Sequence, residues 1–206
     1  MSKRLQAKFK SDRRFGVNLW GRKKSPVNVR EYGPGQHGQR RAAKPSNYKL
    51  QLCAKQKLRF HYAMEEKSFR RVFEEAYRKR GDTNEIFLGF LESRLDVVVY
   101  RMKFASTIFA ARQLVSHGHV KVNGRRVNIK SYRVSKGDKI TLTPQAQAMP
   151  FVTEALQNNE RDWPGYLQVN AENFEGVFAG VPEVSVIPYP FQAEPQLVTE
   201  WYSRRL

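Results

Sequence analysis

The chain has a single cysteine, Cys53, in 206 residues. That excludes an intrachain disulfide and a cysteine-rich zinc centre. Acidic residues are scarce, with 19 Asp and Glu against 37 Lys and Arg and a formal net charge of +18. Solubility requires far less, so the imbalance points to a polyanionic partner, nucleic acid before an anionic membrane. No apolar run approaches the roughly 18 residues that cross a bilayer, and no basic start leads into a signal-type apolar stretch. No membrane partner is expected, and the protein is expected to stay in the compartment where it is made.

The residue patterns of an enzyme are equally thin. The four histidines, His37, His61, His117 and His119, show no pair at i, i+4 with a third metal ligand. There is no phosphate loop ending in Gly-Lys-Ser/Thr, no Gly-x-Ser-x-Gly elbow and no dinucleotide fingerprint. The glycines of Gly33-Pro34-Gly35-Gln36-His37-Gly38 follow no apolar strand and open no helix, so they read as a flexible turn. The expectation is a protein without catalytic activity, cofactor or metal.

What is present is a foldable chain with its charge unevenly spread. Hydrophobic residues make up 40%, enough for one medium core or two small ones. Residues 1–80 carry 23 Lys and Arg against 6 Asp and Glu, residues 81–144 carry 11 against 5, and residues 145–206 carry 3 against 8. The basic surface is therefore N-terminal and central. The acidic end packs back on the protein or meets a basic protein neighbour.

Residues 1–45 mix basic residues with Gly, Pro and Ser and show no sustained period, which predicts an arm that is extended or loosely folded until RNA orders it. Phe15, Trp20 and Tyr32 within it suit either base stacking or local packing. From Ser46 a helical period begins with Leu50, Ala54, Leu58 and Tyr62, and a second stripe runs through Phe69, Val72, Phe73, Ala76 and Tyr77 to a terminating Gly81. On that second helix Glu74 and Glu75 stand four residues from Arg70, Arg71, Arg78 and Lys79, while Arg80 has no such partner. A third helix is predicted over Asn84–Leu91, and a fourth capped by Ser93 with Asp96 three residues on. Leu95, Val98, Val99 and Met102 form its buried face, and a fifth helix spans Thr107–His117. Asn123-Gly124 then predicts a hairpin turn that sets Lys121 against Arg126 and Val120 against Val127. Further strands are predicted at Lys139–Thr143, Tyr166–Val169 and Gly176–Ala179, with helices at Phe151–Leu156 and Gln196–Tyr202.

Like charges opposite one another destabilise a hairpin, so the Lys121/Arg126 pair reads as a cost offset by an external anion. DNA is less favoured than RNA because no recognition helix with a dimer interface is evident. Candidate RNA contacts in the arm are Arg13, Arg14, Arg22, Lys23, Lys24, Arg40, Arg41 and Lys44. On the helices they are Lys49, Lys55, Lys57, Arg59, Arg70, Arg71 and Arg80. In the centre they are Arg94, Arg112, His117, His119, Lys121, Asn123, Arg125 and Arg126.

The stretch Ser93–Ile140, with Arg94-Leu95-Asp96, Ala110-Ala111-Arg112-Gln113-Leu114-Val115, His117-Gly118-His119 and Val122-Asn123-Gly124-Arg125, resembles a small RNA-binding module. That module occurs in the S-four family of ribosomal proteins, in some pseudouridine synthases and in some tyrosyl-tRNA synthetases. Tyr32 to Gly38, Gln51 to Leu58, Phe69 to Ala76 and Val198 to Ser203 resemble the ribosomal family itself, in order and at matching distances, most closely its bacterial type.

The resemblance implies an α+β fold: a basic extended arm (1–45), a helical domain (46–92) completed by about 180–206, and an inserted α/β module (93–179) with its RNA-binding motif at about 94–143. It implies a structural role in the small ribosomal subunit, holding a helical junction in the 5′ domain of the 16S-type rRNA, nucleating assembly and influencing accuracy. The implied neighbours are ribosomal protein S-five, other small-subunit proteins and mRNA near its entry path. The implied location is the cytoplasmic ribosome, or an organellar one if an organelle genome encodes the chain. Some relatives carry an N-terminal cysteine cluster for zinc, which is lacking here. Where relatives often continue with a basic run after the module, Pro144-Gln145-Ala146-Gln147-Ala148 is uncharged. An RNA-modifying enzyme using the same module is the competing class, but a catalytic domain of about 100 to 150 residues has no room. A second role as translational repressor is compatible.

Overall fold

Helices begin where a short oxygen-bearing side chain can accept a backbone N–H. Ser46 accepts from the Lys49 amide at 3.3 Å, Asp82 from Asn84 at 2.8 Å and Thr107 from Ala110 at 3.2 Å. In the computed structural model, which describes residues 7–40, 44–158 and 161–204, the helices are α1 (Lys8–Phe15), α2 (Asn47–His61), α3 (Glu66–Tyr77), α4 (Thr83–Glu92), α5 (Leu95–Arg101), α6 (Ile108–Ser116), α7 (Pro144–Gln147), α8 (Pro150–Gln157) and α9 (Pro195–Ser203). The strands are β1 (Val120–Val122), β2 (Arg125–Arg126), β3 (Lys139–Leu142), β4 (Leu167–Asn170) and β5 (Glu175–Phe178). They form one antiparallel five-stranded sheet in the order β2-β1-β3-β5-β4. The fold class is thus the expected α+β one.

The chain divides into two compact units, one of residues up to Glu75 and from Tyr189 on, the other Ala76–Pro188. The division differs from a boundary at 92, because α4 belongs to the second unit. Phe87, Leu88 and Leu91 are buried there, and Glu92, itself fully buried, accepts from Arg101 at 2.7 and 3.1 Å and from the Tyr166 hydroxyl at 2.8 Å. Gly81, at φ +124, lies beyond the last turn of α3 and is not its immediate cap.

In the first unit the arm is not extended, which corrects the sequence reading. Residues 8–15 are helical, and Ser25 and Arg22 donate to the buried carboxylate of Asp12 at 2.7 and 3.3 Å. Leu19 and Trp20 are buried. The Trp20 indole N–H donates to the His61 carbonyl at 3.2 Å, and His61 Nδ1 donates to the Leu19 carbonyl at 2.7 Å. Low mean hydropathy concealed this because Arg22 and Ser25 bind Asp12 locally and Leu19 and Trp20 pack with little other apolar surface. Leu50 and Tyr77, expected on buried stripes, are 43% and 52% exposed.

Helix α9 packs on α2 and closes this unit. The link is polar as well as apolar. Glu66 accepts from Lys55 at 2.7 Å and from the Tyr202 hydroxyl at 2.8 Å, with Arg59 at 3.4 Å, and the Tyr202 ring stacks on Phe73. Burial alone would raise the Glu66 pKa, but the hydrogen bonds from Lys55 and Tyr202 and the charges of Lys55 and Arg59 outweigh it and hold it low. Burial, reinforced by the bond to Glu66, pushes the Tyr202 hydroxyl up, so it remains a donor.

A carboxylate with a depressed folded pKa contributes stability above its unfolded value, and that contribution disappears as pH falls through the folded value. Asp12, raised by burial, contributes with the opposite slope. The comparison of parent with Glu66→Gln isolates the Glu66 part. The variant is expected to be less stable by about 1 kcal/mol near neutral pH, a figure kept small by partial exposure of the site. Denaturant melts taken at intervals down to about pH 3 should show that gap closing below the ordinary carboxyl value of 4.5. A gap independent of pH would remove Glu66 as the linked group.

Candidate nucleic-acid interface

The second unit builds its basic surface around a buried acid. Helix α5 starts without a side-chain cap, because the Ser93 hydroxyl turns back to donate to the Phe90 carbonyl at 3.3 Å. The expected Ser93 cap is therefore absent, and main-chain carbonyls of a following loop replace it. Tyr132 accepts from the Leu95 amide at 2.8 Å and Lys130 from the Asp96 amide at 3.3 Å. The Asp96 side chain accepts the Val97 amide at 3.1 Å and is otherwise turned to arginines. Its carboxylate accepts from Arg94 at 2.9 and 3.0 Å and from Arg112 of α6 at 2.8 Å, so one acid ties the start of α5 to the middle of α6.

Beyond α6 the chain turns at Gly118, φ +72, into the hairpin. The register is the expected one, Lys121 opposite Arg126 and Val122 opposite Arg125, with Asn123 and Gly124 both at positive φ. Val120 is fully buried and accepts the Val127 amide at 3.0 Å, whereas Val127 is only partly buried. Asn123 binds within the protein. Its Oδ1 accepts the Lys139 amide at 2.9 Å and its Nδ2 donates to Asp138 at 2.8 Å, which ties the turn to the start of β3.

Arg126 is bound internally too, donating to the Gly118 carbonyl at 2.6 Å and the His117 carbonyl at 2.9 Å. The Lys121/Arg126 repulsion is thus offset by carbonyl oxygens, which corrects the reading that an external anion is needed. Lys121, partly buried, and Arg125, exposed, make no side-chain hydrogen bond or ion pair among the described residues.

The chain is continuous with known proteins across both units. Residues 3–92 match the family model described as Ribosomal protein S4/S9 N-terminal domain, and residues 93–140 match that of the S4 domain. It is 58% identical to small ribosomal subunit protein uS4 of Rhodospirillum centenum and 56% identical to that of Gluconobacter oxydans, each over 99% of this chain and 100% of the relative. The same-named protein of Caulobacter vibrioides is 55% identical over 98% of this chain and 100% of its own length. The chain belongs to the uS4 family. It is a ribosomal protein of the small subunit, RNA-binding and ribosome-associated.

Within that family frame the candidate contacts separate by burial. Arg94 (5% exposed), Lys55 (4%) and Arg59 (8%) are largely withdrawn from solvent and pair with Asp96 or Glu66, so they act as internal supports of the fold. Burial lowers the Arg59 pKa, with Glu66 acting against that shift. Arg112 is mostly buried against Asp96. Arg22 lies between the Phe9 and Trp20 rings at 5.0 and 4.9 Å, and Arg13 donates to the Tyr32 and Gly33 carbonyls at 3.2 and 2.8 Å. Arg70 is exposed but pairs with Glu74 at 2.7 Å, a contact that a phosphate can replace at little cost.

Arg14, Lys24, Arg40, Lys44, Lys49, Arg71 and Arg80 are exposed and Lys57 partly so, with no side-chain partner among the described residues. Lys23 is exposed, and the His117 and His119 rings lie 6.2 Å apart beside the corner. Arg41 lies outside the described residues. The sequence reading passed over Arg78 and Lys136, both exposed and unpartnered among the described residues. Arg78 was legible in principle: Glu74 cannot serve Arg70 and Arg78 fully, and it binds Arg70.

Removing an internal support and removing a free cation should therefore differ. Arg94→Gln strips two donors from a buried carboxylate and is expected to lower stability in urea by about 3 kcal/mol. Arg125→Gln should leave the urea midpoint within about 0.5 kcal/mol of the parent. Equal effects of the two on stability would contradict this division of roles.

Proposed function

We propose that this uS4-family protein is a primary rRNA-binding constituent of the small subunit, organising a helical junction in the 5′ domain of the 16S-type rRNA. On this reading it nucleates assembly, contacts ribosomal protein S-five and lies near the mRNA entry path, where it influences accuracy on cytoplasmic or organellar ribosomes. The helical residues 46–92 with the chain's end, and the module of 93–179, act as its RNA-clasping parts.

One observation carries the reading. In the module, buried or backbone-held groups absorb Arg94, Arg112 and Arg126, while Lys121 and Arg125 at the hairpin are left unpartnered among the described residues. A cation kept out of internal pairs keeps its full charge for phosphate. The shallow minor groove and phosphates of a folded RNA are open to such a short hairpin, and membership of a ribosomal family favours RNA over DNA as the partner.

The test is a titration of the protein against a junction RNA at several salt concentrations. Each phosphate neutralised should contribute about −0.7 to −0.9 to the slope of log affinity against log salt. Several contacts make affinity fall steeply, and the junction should outcompete a plain duplex of equal length. An affinity indifferent to salt, or equal for the two RNAs, would refute the proposal.

A further inference from the structure

A cation opposite another cation on a two-stranded ribbon ordinarily turns to solvent. Arg126, opposite Lys121, stays exposed, yet its guanidinium is turned onto the main chain. Its guanidinium reaches back across the strand and donates from Nε to the Gly118 carbonyl at 2.6 Å and from a terminal nitrogen to the His117 carbonyl at 2.9 Å. His117 caps the C-terminal end of α6, where helical carbonyls lack partners and the helix dipole is negative. The fit depends on glycine: a Cβ on Gly118 would stand 2.2 Å from Arg126 Nε. The same corner is tied from the other side by the Thr143 amide, which donates to the His119 carbonyl at 2.9 Å.

We infer that Arg126 is a positioning residue, which locks the corner between α6 and β1 so that Lys121 and Arg125 meet RNA phosphates, and which makes no phosphate contact itself. The inference rests on the hairpin facing RNA, as proposed above. Two of its donors are spent on carbonyls in a fixed plane, and only a planar fork can serve both at once. Lysine at this position would keep the charge and lose the fork. Charge and geometry are therefore separable by substitution.

Arg126→Lys, Arg126→Gln and Arg125→Gln are made in the full chain, their melting curves recorded, and binding to the junction RNA measured at several salt concentrations where each is folded. Both Arg126 variants are expected to lose affinity alike, by about three- to tenfold, while keeping the parent's salt slope. Arg125→Gln should weaken binding and make the slope shallower by about 0.7 to 0.9.

Parent affinity in Arg126→Lys, together with a shallower slope in Arg126→Gln, would make Arg126 a phosphate ligand and overturn the inference. Parent affinity in both folded Arg126 variants would make it a stability residue only and also overturn it. If Arg126→Gln melts below the assay temperature, Arg126→Lys alone decides. No effect of Arg125→Gln on affinity or slope would instead refute the hairpin's assignment to RNA, and the positioning role with it.

Discussion

Asp96 is fully buried and must be matched by donors, because an isolated carboxylate in that environment would cost several kcal/mol. Arg94 and Arg112 provide them, and in doing so fix the spacing of α5 and α6. The loop that caps α5 through the Tyr132 and Lys130 carbonyls is laid against the same point. From that anchored α6 the chain runs directly through Gly118 into β1, so the placement of one acid helps set the direction of the hairpin. A two-stranded ribbon of this length is not stable alone, and β3, paired with β1 from Val120↔Leu142 to Val122↔Ile140, holds it from the other side.

The first unit uses the same device with different residues. Glu66 gathers Lys55, Arg59 and Tyr202, joining α2, the start of α3 and α9. Asp12 gathers Ser25 and Arg22 and folds the residues that follow α1 back toward it. In a chain so short of acids, Asp12 and Asp96, both buried, and the half-exposed Glu66 cross-link separate segments, and each binds one or two cations. Lys55, Arg59 and Arg94, which in sequence look only like RNA ligands, are therefore also supports of the fold.

Local rules were legible where local physics decides. Ser46 and Thr107 cap their helices, Asn123-Gly124 makes its turn, and the Lys121/Arg126 register follows from that turn alone. The later strands fall within a residue of expectation, β4 at Leu167–Asn170 and β5 at Glu175–Phe178. Family membership was legible as well, since its motifs run the length of the chain. Partner choice was not legible, because it depends on which residues distant in sequence come together. Ser93 fits a capping box by spacing, yet loop carbonyls from about 40 residues on fill the role. The arm looked extended because composition counts apolar residues and cannot see that Arg22 and Ser25 both bind Asp12.

Pairing inside the protein does not erode the charge that attracts RNA. Each ion pair consumes one acid and one base, so the excess of +18 is the same whether the acids are buried or exposed. What burial changes is which cations remain for contact. Arg13, Arg126 and Arg161 are a separate class, bound to carbonyls of Tyr32 and Gly33, of His117 and Gly118, and of Tyr100 and Ala105. A carbonyl has a dipole but no net charge, so these arginines are fixed in place while their charge still adds to the field at a distance. They increase the rate at which a polyanion arrives and stiffen the segments that receive it. On the proposed function, cations such as Arg125, with no internal partner among the described residues, are the ones left to make the short contacts that a bound RNA requires.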